Sequence, residues 1–152
     1  METKKLIEQL KTGTGFARAR AASELGKTRE LSAINALISA LNDPNLAVRN
    51  NATFALAETG SAEVIPHLVK ALDDEEECVR TSAAKGLGLL RAREGVPGLI
   101  KLMEDPSYVV KKNAIRSLGK IKSLQAIQAL REASASDDPE ISHLAGKALE
   151  HL

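Results

Sequence analysis

The sequence predicts an all-α solenoid, a row of helical hairpins repeating every 31 residues, and three observations carry that expectation. First, one column at this spacing reads Leu25, Leu56, Leu87, Leu118, Leu149, and a second reads Ala21, Ala52, Ala83, Ala114, Ala145. Second, each unit holds two apolar runs at helical spacing, such as Val48, Ala52, Leu56 and then Ile65, Leu68, Val69, Leu72. Third, aromatic residues make up only 2% of the chain, so the core is built from Leu, Ile, Val and Ala, which suits closely packed helices and suits aromatic pockets badly.

The register places every element. Leu6, Ile7 and Leu10 fall one period before Leu37, Ile38 and Leu41, so residues 2–11 form a second-type helix without its first. Units then start near residues 15, 44, 75 and 106, and residues 139–152 repeat only the first-type helix. That gives about ten helices in a single repeat domain over residues 1–152. Asp43-Pro44 and Asp105-Pro106 open first helices, where Asp can cap free amides and Pro is tolerated in the first turn. Pro66 and Pro97 stand near the start of second helices, and Gly60-Ser61 joins the two helices of one unit. Thr12-Gly13-Thr14-Gly15 looks like half a phosphate-binding loop, but it joins two helices and lacks the preceding strand, so it reads as a turn and helix cap. One hairpin cannot cover its own apolar face, whereas stacked neighbours form a continuous core.

The bulk charge excludes little by itself. With 21 basic and 20 acidic residues among 152, no global field draws the molecule to nucleic acid or an acidic membrane, and any charge argument is local. The single cysteine, Cys78, excludes an internal disulfide and a multi-cysteine metal site, and reads as a small core residue. No stretch has the apolar length of a membrane span, and the first residues lack the apolar run of a signal peptide, so the expected location is cytoplasmic.

The segments VRNNATFALAETGSAEVIPHLVKAL (48–72) and VRTSAAKGLGLLRAREGVPGLIKLM (79–103) resemble the HEAT-like repeats first noted in phycobilin lyases. The resemblance covers essentially the whole chain and implies a right-handed superhelix whose second helices line the concave side. It is specific for fold and weak for function, because that superfamily includes chromophore lyase subunits, a di-iron hydroxylase and many stand-alone scaffolds. Small free-standing prokaryotic members are the nearest general likeness. In the hydroxylase branch, iron ligands are His-Glu pairs just after the Arg column. Here those positions are Ala19-Arg20, Asn50-Asn51, Thr81-Ser82, Lys112-Asn113 and His143-Leu144, one imidazole and no carboxylate, which excludes that chemistry. A HEAT-like DNA glycosylase needs aromatics to hold a flipped base, and there is no Trp. His67, His143 and His151 read as solvated side chains, and no catalytic residue, metal or cofactor is expected. Bilin attachment stays open through the resemblance alone.

Three surface features remain. Arg18, Arg49, Arg80 and Lys111 form a basic column, each of the last three six residues after Asp43, Asp74 or Asp105, a phase that suits pairing between repeats. Lys112, Arg116 and Lys120 share one helix face, and Lys85 and Lys147 occupy the Arg116 column in neighbouring units, making a basic patch on the first-helix side. That patch is a solvated face or a site for nucleic acid or another anionic partner. On the second-helix side, small positions include Ala36, His67, Gly98, Ala129, Ala71 and Leu102, rimmed by Asn35, Ser39, Lys70, Lys101, Gln128 and Glu132. They either let helices pack closely or leave a groove for a partner. The favoured reading is a non-catalytic protein-binding scaffold using this concave face, with the basic patch and an accessory role in a bilin lyase-like system as alternatives.

If the Leu column is core, Leu87→Ala destabilises the fold by about 2–5 kcal/mol. Urea unfolding checks this, and an unchanged midpoint would mean that the repeat phase is wrong.

Overall fold

The computed structural model describes residues 2–152; Met1, the first residue of the expected domain, lies outside the described residues. Among these residues there are ten α-helices and no strand. The first-type helices are α2 (Gly15–Thr28), α4 (Leu46–Glu58), α6 (Glu77–Leu89), α8 (Tyr108–Ile121) and α10 (Pro139–Glu150). The second-type helices are α1 (Glu2–Thr12), α3 (Ile34–Ala40), α5 (Ile65–Ala71), α7 (Val96–Leu102) and α9 (Leu124–Ser134), the middle three each entered through a single 3-10 turn. The first described helix is of the second type and the last of the first type.

The periodic columns are the core. Leu25, Leu56, Leu87 and Leu118 are fully buried, as are Leu37, Leu68, Leu99 and Leu130 on the second helices. Ala21, Ala52, Ala83, Ala114 and Ala145 are also fully buried, so the smallest helix-favouring side chain stands where successive first helices meet. Leu149, on the last described helix, is only partly buried. First helices stack parallel to one another, since contacts recur at nearly constant offset: Asn51 Nδ2 donates to Ala19 O at 2.8 Å and Ser117 Oγ to Ala84 O at 2.6 Å.

The approach is close enough to exclude side chains. A Cβ added at Gly26 would lie 2.9 Å from the Ala55 Cα, and one at Gly88 would lie 3.0 Å from the Ser117 Cα. Gly26, Ala57, Gly88 and Gly119 occupy one column at the repeat spacing, a signal that the bulkier columns overshadow in the sequence.

The Arg column fastens each unit to the next. The Arg18 Nε donates to Asp43 Oδ2 at 2.8 Å, Arg49 Nε to Asp74 Oδ2 at 3.1 Å and Arg80 Nε to Asp105 Oδ2 at 2.8 Å, with Nη2 reaching the other carboxylate oxygen in every case. Each Nη1 donates back to a carbonyl of the preceding turn, Gly13, Asp43 or Asp74. The partner is thus the Asp of the following loop, while the Asp six residues earlier offers only its backbone to that Arg. The series stops at Lys111, because Ser136 stands where the next Asp would fall.

This pairing corrects one expectation. Asp43 and Asp105 do not cap first helices; Asn45 and Ser107 do, with Asn45 accepting from Ala47 and Val48 amides and Ser107 from the Val110 amide. Each Asp carboxylate is held by an Arg and accepts only the amide two residues on, of Asn45 or Ser107. Asp138, one period after Ser107, likewise caps its helix, ahead of Pro139. Thr14 caps α2 by accepting from the Ala17 amide, as expected for a turn.

The hydrogen bond from Arg18 holds the Asp43 carboxyl below its ordinary range, against the opposing effect of burial. A depressed folded-state pKa contributes stability above the unfolded value and loses it as pH falls through the folded one. The stability gap between the parent chain and Asp43→Asn is therefore expected to be constant above about pH 5 and to narrow below about pH 4. Urea midpoints across that range measure it; a gap that widens with acid would contradict the pairing.

Candidate functional site

The small-residue row on the second helices divides into two kinds of position. Leu102 and Ala129 are buried at 6% and 8% exposure, and a Cβ on Gly98 would meet Leu72 Cδ1 at 2.6 Å. These three serve helix packing. By contrast, Ala36, His67 and Ala71 are half-buried and face open depressions. His67, Lys70 and Ala71 line a cleft of about 540 Å³ together with Ile38 and Leu41, while Asp73 and Asp74 edge it. Ala36 and Ser39 line a shallower depression against Leu10 and Lys11, which Asn35 borders on its other side. The remaining rim residues are exposed and weakly engaged: Lys101 Nζ lies 3.4 Å from Asp73 Oδ1, and Gln128 Nε2 donates to Glu132 Oε1 at 3.2 Å.

The basic patch is drawn together more tightly. Lys112, Arg116 and Lys120 from α8 and Lys147 from α10 line one open cleft of about 590 Å³, whereas Lys85, exposed on α6, lies outside its lining. Arg91 and Lys122, from the same basic stretch of sequence, also line it, as do three residues outside the expected patch, Tyr108, His143 and His151. The signal was present, because Lys112, Arg116 and Lys120 are each one period before His143, Lys147 and His151.

The positions that would bear iron ligands in a hydroxylase are used otherwise. Asn51 binds the Ala19 carbonyl, and Ser82 Oγ donates to Asn50 Oδ1 at 2.6 Å. Among the described residues, no group of three or more His, Cys, Asp or Glu side chains is placed to hold a metal ion. Cys78 is half-buried, and burial raises its thiol above the ordinary value. No described helix is long and apolar enough to cross a membrane.

These features define an α-solenoid of helical hairpins with two open clefts on opposite helix layers. The family model for HEAT repeats matches residues 3–88 and 66–150, and the chain belongs to that family. A search of the curated proteins finds no match. Among solved structures, the complex of CpcE and CpcF of phycocyanin lyase from Nostoc sp. PCC7120 superposes with a TM-score of 0.84 at 27% identity, covering 99% of this chain. This chain spans 64% of the length of that relative. An engineered protein matches with a TM-score of 0.70 at 25% identity, over 99% of this chain and 79% of the other. A designed armadillo repeat protein for modular peptide recognition shares the fold, with a TM-score of 0.65 at 22% identity over 97% of this chain and 80% of its own.

Since Leu102 is buried between helices, a carboxylate there has no water and no partner. Leu102→Glu is expected to cost about 3 kcal/mol or more, seen as an early thermal melt. A normal melt would return Leu102 to the open surface.

Proposed function

We propose that residues 1–152 form one repeat domain that works as a non-catalytic scaffold in the cytoplasm, binding a protein partner on the second-helix face. The observation that carries this reading is the cleft at His67, Lys70 and Ala71, in the middle of the array. Its floor, Ile38, Leu41 and Ala71, is apolar, while its edge carries Lys70, Asp73 and Asp74. An apolar centre inside a polar rim is the usual anatomy of a protein interface. The neighbouring depression at Asn35, Ala36 and Ser39 extends the same face toward α1. Lys101, Gln128 and Glu132 continue its rim over the last two second helices, while Gly98, Leu102 and Ala129 support it from beneath.

A second reading, an accessory subunit in a bilin lyase-like system, rests on the likeness to the CpcE and CpcF complex. No residue of this chain selects it. Mixing the purified chain with a free bilin and following the visible spectrum separates the two readings, since a scaffold for proteins leaves that spectrum unchanged.

Ala71→Glu places bulk and charge in the central cleft at a half-buried site, so it is expected to leave the melting temperature within a few degrees and to weaken partner capture at least about tenfold. Affinity purification with mass spectrometry, followed by binding measurements on the recovered partner, reads this out. Undiminished capture by a normally folded variant removes the cleft from the interface.

A further inference from the structure

The cleft between α8 and α10 has an internal order that a solvated face does not need. Lys112, Arg116 and Lys120 follow each other at i, i+4 and i+8 along α8, and His143, Lys147 and His151 do the same from α10, one period later. The helices are parallel, so the two rows are matching rails. Along each rail the groups recur about every 6 Å, the rise of four helical residues. Across the cleft, packed helices lie about 8–10 Å apart. None of the six side chains makes an ion pair within the chain among the described residues, and no carboxylate lines the cleft.

Between the rails the floor is aliphatic. Gly119 brings α8 so near α10 that an added Cβ would stand 3.3 Å from the Ala148 Cβ, and Leu144 continues the apolar strip beside it. The pattern is particular to these two units: in the preceding ones the same columns read Thr81, Lys85, Leu89 and Asn50, Phe54, Glu58. It is a local device, not a by-product of the repeat.

We propose that this cleft, with three cations on one rail, Lys147 between two imidazoles on the other and an apolar floor, binds an acidic amphipathic helix supplied by a partner protein. Carboxylates at i and i+4 on such a helix repeat at the same interval of about 6 Å, so rows on either side of its apolar stripe meet both rails at once. A nucleic-acid strand fits less well, since bases bind by stacking on aromatic rings and the cleft offers one phenol, Tyr108 at the start of α8, with a floor of Leu and Ala. A second copy of this chain does not supply the ligand, because no described helix carries two rows of acids beside an apolar stripe. The surface is separate from the second-helix cleft, and either can fail without the other.

The test uses the full chain and a fluorescent synthetic peptide of about 15 residues, long enough to run the length of α8. The peptide places Leu and Ala on one stripe and Glu at i and i+4 on both flanks. A scrambled peptide of equal composition and a single-stranded oligothymidylate are the other probes, all read by anisotropy at physiological salt. Expected are saturable binding of the patterned peptide, about tenfold weakening by Arg116→Glu and again by Lys147→Glu, and no change in Ala71→Glu. Both reversed side chains are exposed and unpaired, and unchanged urea midpoints verify the fold; Arg116→Gln and Lys147→Gln provide milder versions. Equal binding of the scrambled peptide, preference for the oligonucleotide, or indifference to the reversals in a folded protein would each overturn the proposal.

Discussion

A helical hairpin of about 30 residues has an apolar stripe on each helix and no third layer to cover it, so every unit in this protein is stable only against its neighbours. The rest of the structure follows from that dependence. Ala21, Ala52, Ala83, Ala114 and Ala145 vanish from solvent because neighbouring helices of the stack lie against them, and Leu25 through Leu118 are enclosed between the two helix layers. Spacing must hold from unit to unit, and the Gly and Ala residues at 26, 57, 88 and 119 set it by allowing backbones to touch side chains of the neighbour directly. Hydrogen bonds such as Ser117 to the Ala84 carbonyl then satisfy polar groups trapped in that contact.

Packing of smooth aliphatic surfaces fixes distance better than it fixes slip along the helix. The Arg–Asp clamps supply that second constraint. One guanidinium spans two loops, donating to the carboxylate of the next turn and to the carbonyl of its own, so sliding by a single residue would break every one of these bonds. The groups are only partly exposed, with side chains of Arg80 and Asp105 at 15% and 6%, and satisfying their donors and acceptors offsets the desolvation of the charges. The charge-assisted ladder ends between Lys111 and Ser136, and the final first helix is held to α8 by packing without such a clamp.

The distribution of charge follows the same division. In the first three units the basic column faces inward and is neutralised by Asp. In the last two, basic side chains of three other columns face outward, in two rows without acidic partners, and a formal net charge of +1 conceals this separation. The two open clefts lie on different helix layers, one edged by both signs of charge and the other by basic side chains with no carboxylate. A small repeat protein thus presents two chemically distinct surfaces without any insertion into its repeats.

The sequence by itself determined the helical hairpins, their period, and the buried Leu and Ala columns, because burial in a stacked array is the same problem solved at every unit and leaves the same residue each time. It also located Lys112, Arg116, Lys120 and Lys147 on the first-helix side. Tertiary structure alone decided which Asp each Arg meets, since 25 residues and a whole second-type helix separate the partners, and it moved the capping role from Asp43 and Asp105 to Asn45 and Ser107. It alone separated Gly98, Leu102 and Ala129, which pack, from Ala36, His67 and Ala71, which face open space. A column in sequence states that positions are equivalent, but exposure depends on how closely particular neighbours approach. That distance is set by side chains on other helices.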